Sequence, residues 1–215
     1  MSSILSTTLF MLLMFWLISC GRDNDDDKNS VNNQTVIEEQ QEDGSYRAIL
    51  RPINNSLSGL IPTGVAEVFI DGDNLKIKTL LDDDAKVIHI QNVHLGTRCP
   101  STSDDSNGDG LIDMSESYSI VKQILLPLDS DLNSLESRND TYPLGGGFTY
   151  VGTASISKID NEIKSRMNQH LNITNKVVLI HGVATSTKLP TTVGTPPGVS
   201  VQSSIPIACG VLKRI

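Results

Sequence analysis

Asn74-Leu75-Lys76-Ile77-Lys78-Thr79-Leu80 alternates apolar and polar residues. A strand sends successive side chains to opposite faces, so this run reads as a half-buried β-strand, apolar on one side and wet on the other. Just before it, Gly64-Val65-Ala66-Glu67-Val68-Phe69-Ile70-Asp71-Gly72 reads as a second strand ending in a turn. Asp71-Gly72-Asp73 supplies the turn chemistry that makes the two a hairpin.

The same pattern extends in both directions. Ala48, Leu50, Pro52 and Ile53 begin a strand-like segment after Tyr46. Downstream, strands are expected at Val87–Leu95, Phe148–Ala154, Lys176–Gly182 and Ile205–Leu212, with a strand-like stretch at Ile120–Leu126. Only Ile159–Leu171 has a helical look. Many short strands, turn signals and long loops predict an all-β fold, a Greek-key β-barrel or sandwich. Gly145-Gly146-Gly147 and Gly182-Val183-Ala184-Thr185 are turn signals, since a lone glycine run lacks the strand-to-helix setting of a phosphate loop.

The chain has 215 residues and a net charge of −8, which suits one domain with appendages. The acidic balance leaves no basic patch to neutralise phosphates, and aromatics at 4% offer no stacking platform, so a nucleic-acid partner is excluded. The first residues read differently. Leu9–Ile18 is an apolar run too short to span a bilayer, which takes about 20 residues. It fits the apolar core of a signal peptide over residues 1–19, although no Lys or Arg precedes it. Leu17-Ile18-Ser19-Cys20-Gly21 then resembles the bacterial lipobox, in which the cysteine takes a diacylglycerol and becomes the new N-terminus. Acyl chains anchor at about 0.8 kcal/mol per buried CH₂, so Cys20 is the expected membrane attachment. Residues 20–44, rich in Asp, Asn, Gln and Glu, are too polar to fold and predict a disordered tether. The β-domain is expected over 45–215, facing the periplasm or the cell exterior of a bacterial envelope. Export also makes a disulfide between Cys99 and Cys209 chemically sensible; the other reading is two buried free thiols.

The sharpest local motif runs from Asp105 to Glu116. It matches the twelve-residue calcium loop of the EF-hand type: Asp105, Asn107 and Asp109 at positions 1, 3 and 5, Gly110 at the sharp turn, Leu111 offering its carbonyl, Asp113 at position 9 and Glu116 closing the site. Hard oxygen donors at alternating spacing wrap a hard cation, so Ca²⁺ is the expected ligand; the plainer reading is a solvated acidic turn. Cys99-Pro100-Ser101-Thr102-Ser103 is no helix, so the loop is expected as an insertion in a β-domain rather than a true EF-hand.

Asn92-Val93-His94, then Cys99, then Val177-Val178-Leu179-Ile180-His181-Gly182 and finally Ala208-Cys209-Gly210-Val211 resemble, in order and rough spacing, the Cu,Zn superoxide dismutase superfamily. The resemblance runs from Tyr46 to Leu212. It implies a Greek-key barrel, a Cys99–Cys209 disulfide, and copper ligation by His94 and His181. The departures from the family pattern fall at its chemistry. Asn92 stands where the first copper histidine belongs, the loop that normally carries the bridging and zinc histidines has none, and Pro206 replaces the arginine that guides superoxide. Two imidazoles and an amide under-ligate a redox copper, and no zinc shapes the site. His89 faces away from residues 92 and 94 by strand alternation, and His89 and His170 read as ordinary polar residues. The expected function is therefore a non-catalytic, calcium-binding lipoprotein domain. The alternatives are an extracytoplasmic copper dismutase with an atypical site, and an adhesive domain of the chordin-repeat type.

Overall fold

The computed structural model describes residues 41–215, apart from Leu60 and Asn139. The apolar run, Cys20 and most of the expected tether lie outside these residues. Among the described residues, no helix is long and apolar enough to cross a membrane.

The domain is all-β. Its strands are β1 (Gly44–Pro52), β2 (Thr63–Asp71), β3 (Asn74–Asp82), β4 (Gln91–His94), β5 (Ile124–Pro127), β6 (Phe148–Ser155), β7 (Val177–His181), β8 (Pro206–Val211) and the short β9 (Lys213–Arg214). They form a curled antiparallel sheet in the order β5-β4-β7-β8-β1-β2-β3-β6, with β9 added beside β1. The chain crosses from β3 to β4, returns to place β6 beside β3, and crosses again to place β7 beside β4. Strands β5 and β6 end the order, so the barrel stays open between them. The connection from residue 128 to 147 fills part of that gap, with the Tyr150 hydroxyl donating to the Asp129 carbonyl at 2.9 Å.

The hairpin at Gly72-Asp73 forms as the turn chemistry requires, with Asp71 opposite Asn74. Tyr46, Ala48 and Leu50 of β1, Ala66, Val68 and Ile70 of β2, and Leu75, Ile77 and Leu81 of β3 all point into one core. The opposite face carries the cross-strand row Arg47, Glu67 and Lys78, in which the Arg47 guanidinium reaches Glu67 Oε1 at 2.8 and 3.0 Å. Strands β4, β7 and β8 differ, because they are buried on both faces. Val93, Val178 and Ile180 join the main core. Val177, Leu179 and Cys209 face the other way, into a second apolar cluster with Ile53, Ile112 and Val121.

Several segments depart from the sequence expectation. Of Val87–Leu95 only Gln91–His94 is strand, and Ile88 makes an isolated bridge to Leu144. Ile120 and Val121 do not open a strand; they close helix α2 (Met114–Val121), after which Lys122 at φ +65° turns the chain into β5. Two short helices, α1 (Asn55–Ser58) and α4 (Val201–Ser204), form where no helix is expected. Helix α3 spans Ile156–Met167 and stops at Asn168 in the left-handed region, so Gln169–Leu171 are not helical. Gln41–Asp43, assigned to the tether by composition, are fastened to the domain. Gln41 Oε1 accepts the Ile173 N–H at 2.7 Å, and Arg214 pairs with the Glu42 carboxylate.

Cys99 and Cys209 are disulfide-bonded across 110 residues, with Cα atoms 5.8 Å apart. The bridge ties the loop after β4 to β8, where it packs in the second cluster. Closing a loop of that length restricts the unfolded chain, which stabilises the fold by about 2–5 kcal/mol. The Cys99→Ala/Cys209→Ala double variant is expected to lose stability of that size in urea unfolding. An unchanged midpoint would mean that the loop is held without the bridge.

Candidate functional site

The acidic loop hangs over the second cluster and is held by its own carboxylates. Asp105 accepts the Gly108 N–H at 2.7 Å on Oδ1 and the Gly110 N–H at 2.8 Å on Oδ2. Asn107 Oδ1 accepts the Asp109 N–H at 2.9 Å, and Asp109 Oδ1 accepts the Leu111 N–H at 3.0 Å. These are local side-chain-to-backbone turns, which Asp and Asn form because their short side chains reach N–H groups two to five residues ahead. Gly110 sits at φ +84°, where a Cβ would be strained. Glu116 folds back over the loop. Its Oε1 accepts the Ser106 N–H at 2.7 Å, the Ser106 hydroxyl at 2.9 Å and the Asn107 N–H at 3.2 Å.

Asp113 and Glu116 also start α2. The Asp113 carboxylate accepts the Glu116 N–H at 3.0 Å, and Glu116 Oε2 accepts the Asp113 N–H at 3.2 Å. This reciprocal pair is a capping box. Asp113 and Glu116 thus carry a helix-start signal that the calcium pattern masks in the sequence.

Three outside contacts pin the loop. Asn54, in the left-handed region at φ 57°, uses its side-chain amide on both backbone groups of Ile112. Its Oδ1 accepts the Ile112 N–H at 2.8 Å, and its Nδ2 donates to the Ile112 carbonyl at 2.8 Å and to the Pro206 carbonyl at 2.9 Å. Thr192 donates its hydroxyl to Asp109 Oδ2, and the Gly194 N–H donates to Asp113 Oδ2 at 2.7 Å. The Thr192 bond holds the Asp109 carboxyl below the usual carboxylate range. Nothing in the sequence marks Asn54, Thr192 or Gly194 as partners of this loop, since they lie 58, 83 and 81 residues from the groups they bind.

Asp105, Asn107, Asp109 and Glu116 thus bring side-chain oxygens, the donor class that Ca²⁺ takes, into one loop. Among the described residues, no three Asp, Glu, His or Cys side chains are already gathered as metal ligands. Glu116 spends its oxygens on backbone N–H groups instead.

The histidines lie on β4 and β7. His94 is 5% exposed, and its Nδ1–H donates to the Lys122 carbonyl at 2.9 Å. Its Nε2 is buried without a hydrogen-bond partner among the described residues. His181 is 1% exposed, with Nδ1 bonded to the Ile90 carbonyl at 3.1 Å. Burial pushes His94 down to about 4 and His181 down to about 3, with His94 close enough to add to the second shift. Both rings are therefore neutral at neutral pH. Asn92 is buried and accepts the Tyr142 hydroxyl at 3.1 Å. Among the described residues, no third nitrogen or carboxylate ligand is gathered with the two imidazoles, so the donor set does not fit a dismutase copper or zinc centre.

His89 is more than the ordinary polar residue its sequence context suggests. It is wholly buried, and it lies before β4 rather than within a strand, so strand alternation does not set its direction. Its Nδ1 lies 3.1 Å from the His181 carbonyl, and its Nε2 lies 3.2 and 3.1 Å from the Ala85 and Gly145 carbonyls and 3.4 Å from Asp83 Oδ2. It links the end of β7 to the segments around Ala85 and Gly145. Burial raises the Asp83 carboxyl above its usual range, and the His89 ring opposes that shift. His170, by contrast, is partly exposed and pairs with Asp160 at 2.7 Å.

A group whose folded pKa is depressed below its unfolded value resists protonation in the fold. For His94 and His181 the stabilising difference is complete above about pH 6.5 and is lost as pH falls toward 4 and 3. Below pH 6 each histidine is expected to remove on the order of 1 kcal/mol of stability per pH unit in metal-free protein. Urea unfolding at pH 7, 6 and 5 measures the slope, and His94→Gln should flatten it; an unchanged slope would show that His94 is solvated.

No protein-family model matches this chain, and no curated protein matches it either.

Proposed function

We propose that this chain is an extracytoplasmic lipoprotein whose β-domain, held to a bacterial membrane through Cys20, binds Ca²⁺ in the loop Asp105–Glu116 and has no dismutase activity. The observation that carries the reading is the spacing of oxygen donors in that loop, with Gly110 at the turn and Asp105, Asn107 and Asp109 each bonded to the loop's own backbone N–H groups. Asp105, Asn107, Asp109, the Leu111 carbonyl and Glu116 would hold the cation, with Asp113 behind them. Bound Ca²⁺ supplies positive charge that offsets the mutual repulsion of these carboxylates.

The protein's own residues supply the frame. Asn54 fixes Ile112 at the floor of the loop, Thr192 and Gly194 hold its outer rim, and α2 leads away from it. The lone helix after the loop, with a 3₁₀ turn at Thr102–Asp104 before it, makes this a loop–helix unit rather than a helix–loop–helix hand. The likeness to the dismutase superfamily is supported by the strand order and by the Cys99–Cys209 bridge.

The second reading, a copper dismutase with an atypical site, draws on the partnerless buried Nε2 of His94 near His181. It is disfavoured by Asn92, by the absence of zinc histidines in the sequence, and by Pro206. The reading as a chordin-type adhesive domain has only the all-β fold in its favour, and the Ala208-Cys209-Gly210-Val211 ending argues for the other family.

Calcium is tested by thermal melting. Extracellular calcium modules bind at roughly 10⁻⁴–10⁻³ M, so millimolar Ca²⁺ is expected to raise Tm, Mg²⁺ to raise it less, and Asp105→Ala or Glu116→Gln to abolish the rise. At a hundredfold excess over Kd the gain is about 2.7 kcal/mol. Calorimetry showing no heat of binding up to 10 mM Ca²⁺ would leave the loop as an acidic turn. The anchor is tested separately: wild-type protein should incorporate a palmitate analogue in a bacterial host, and Cys20→Ser should not. Label retained by the variant would refute the lipobox reading.

A further inference from the structure

Beside the disulfide, where β1 ends and α1 begins, lies a cavity of about 450 Å³. That size falls within the roughly 300–1,000 Å³ of small-molecule sites. Its base is apolar: Pro52 and Ile53 on one side, Pro100 and Ile112 on the other, with the Cys99–Cys209 bridge between them. Its mouth is polar, and the polar side chains there are uncommitted. Arg51, Asn55, Ser56 and Thr102 line it, and none of their side chains meets a hydrogen-bond or ion-pair partner among the described residues.

We infer that this cavity binds small amphipathic anions, with an apolar body against the disulfide and an anionic head at Arg51. The charge balance at the mouth selects the sign. Arg51 is its one cationic side chain. Asp105 also lines the cavity, but both of its carboxylate oxygens turn into their own loop, toward the Gly108 and Gly110 N–H groups. Asp104 next to it is neutralised by Arg98, whose guanidinium meets its two oxygens at 2.7 and 2.8 Å. Asn55, Ser56 and Thr102 add donors around the head, and a guanidinium takes carboxylate or phosphate oxygens in bidentate fashion. The base is fixed by the disulfide and by the bonds of Asn54 to Ile112, so it is pre-formed for an apolar group. None of this requires a cation in the neighbouring loop, so the site stands whether or not that loop binds calcium.

The test is calorimetric titration of the full chain with 1-naphthoate, 1-naphthyl phosphate and the neutral 1-naphthamide. At least one of the two anions should bind at least tenfold more tightly than the amide, and comparing the two identifies the preferred head. Arg51→Gln, at an exposed position, should weaken the anion by about tenfold to a hundredfold without shifting Tm. Ser56→Phe at the mouth should weaken all three ligands together. Amide binding equal to that of both anions, anion binding that survives Arg51→Gln, or no anion binding at millimolar concentration would each overturn the proposal.

Discussion

Strands β4, β7 and β8 have no face left for water, and the arrangement of the rest of the domain follows from that. Their inner side belongs to the barrel core through Val93, Val178 and Ile180. Their outer side carries Val177, Leu179 and Cys209, which would be a bare apolar stripe without a cover. The cover is built from loops: the end of β1, the segment from Cys99 to Ile112, and α2 with Val121. Burying this stripe is favourable at roughly 25 cal/mol per Å² of apolar surface. It also brings loop backbone into places where its polar groups lose water, and each of those groups then needs a partner.

Buried and half-buried polar side chains answer that need. Asn54 satisfies the two backbone groups of Ile112 and the carbonyl of Pro206 with one amide. His94 takes the carbonyl of Lys122, a residue held in the left-handed region, where a side chain is costly. His89 sits among the carbonyls of Ala85, Gly145 and His181. Each of these polar residues is a fastener for a loop, while the His94 Nε2 keeps no hydrogen-bond partner among the described residues.

The strands with one wet face were legible because alternation at Leu75, Ile77 and their neighbours is a direct imprint of the sheet. The disulfide was legible too, from export and from the resemblance. The doubly buried strands were harder. Val87–Leu95 is apolar enough to be strand throughout, yet only Gln91–His94 finds partners, because the chain before them packs against the 143–147 turn instead. Helix α2 was hidden because its capping residues, Asp113 and Glu116, carry two meanings at once. The partners of the acidic loop were invisible for a different reason. Asn54, Thr192 and Gly194 meet it only through the tertiary fold, and no local pattern encodes a contact across 58 or more residues.

Strand β1 has a consequence for reach. Its first residues are where the chain enters the domain, clasped by Arg214 through Glu42 and Asp43, and its last lead into Asn54 and the cavity. Nine residues of strand, at about 3.3 Å each, separate the two by about 30 Å. The strand therefore acts as a spacer of fixed length. The acidic loop and the cavity therefore stand a full strand's length from the point where Arg214 clasps the chain.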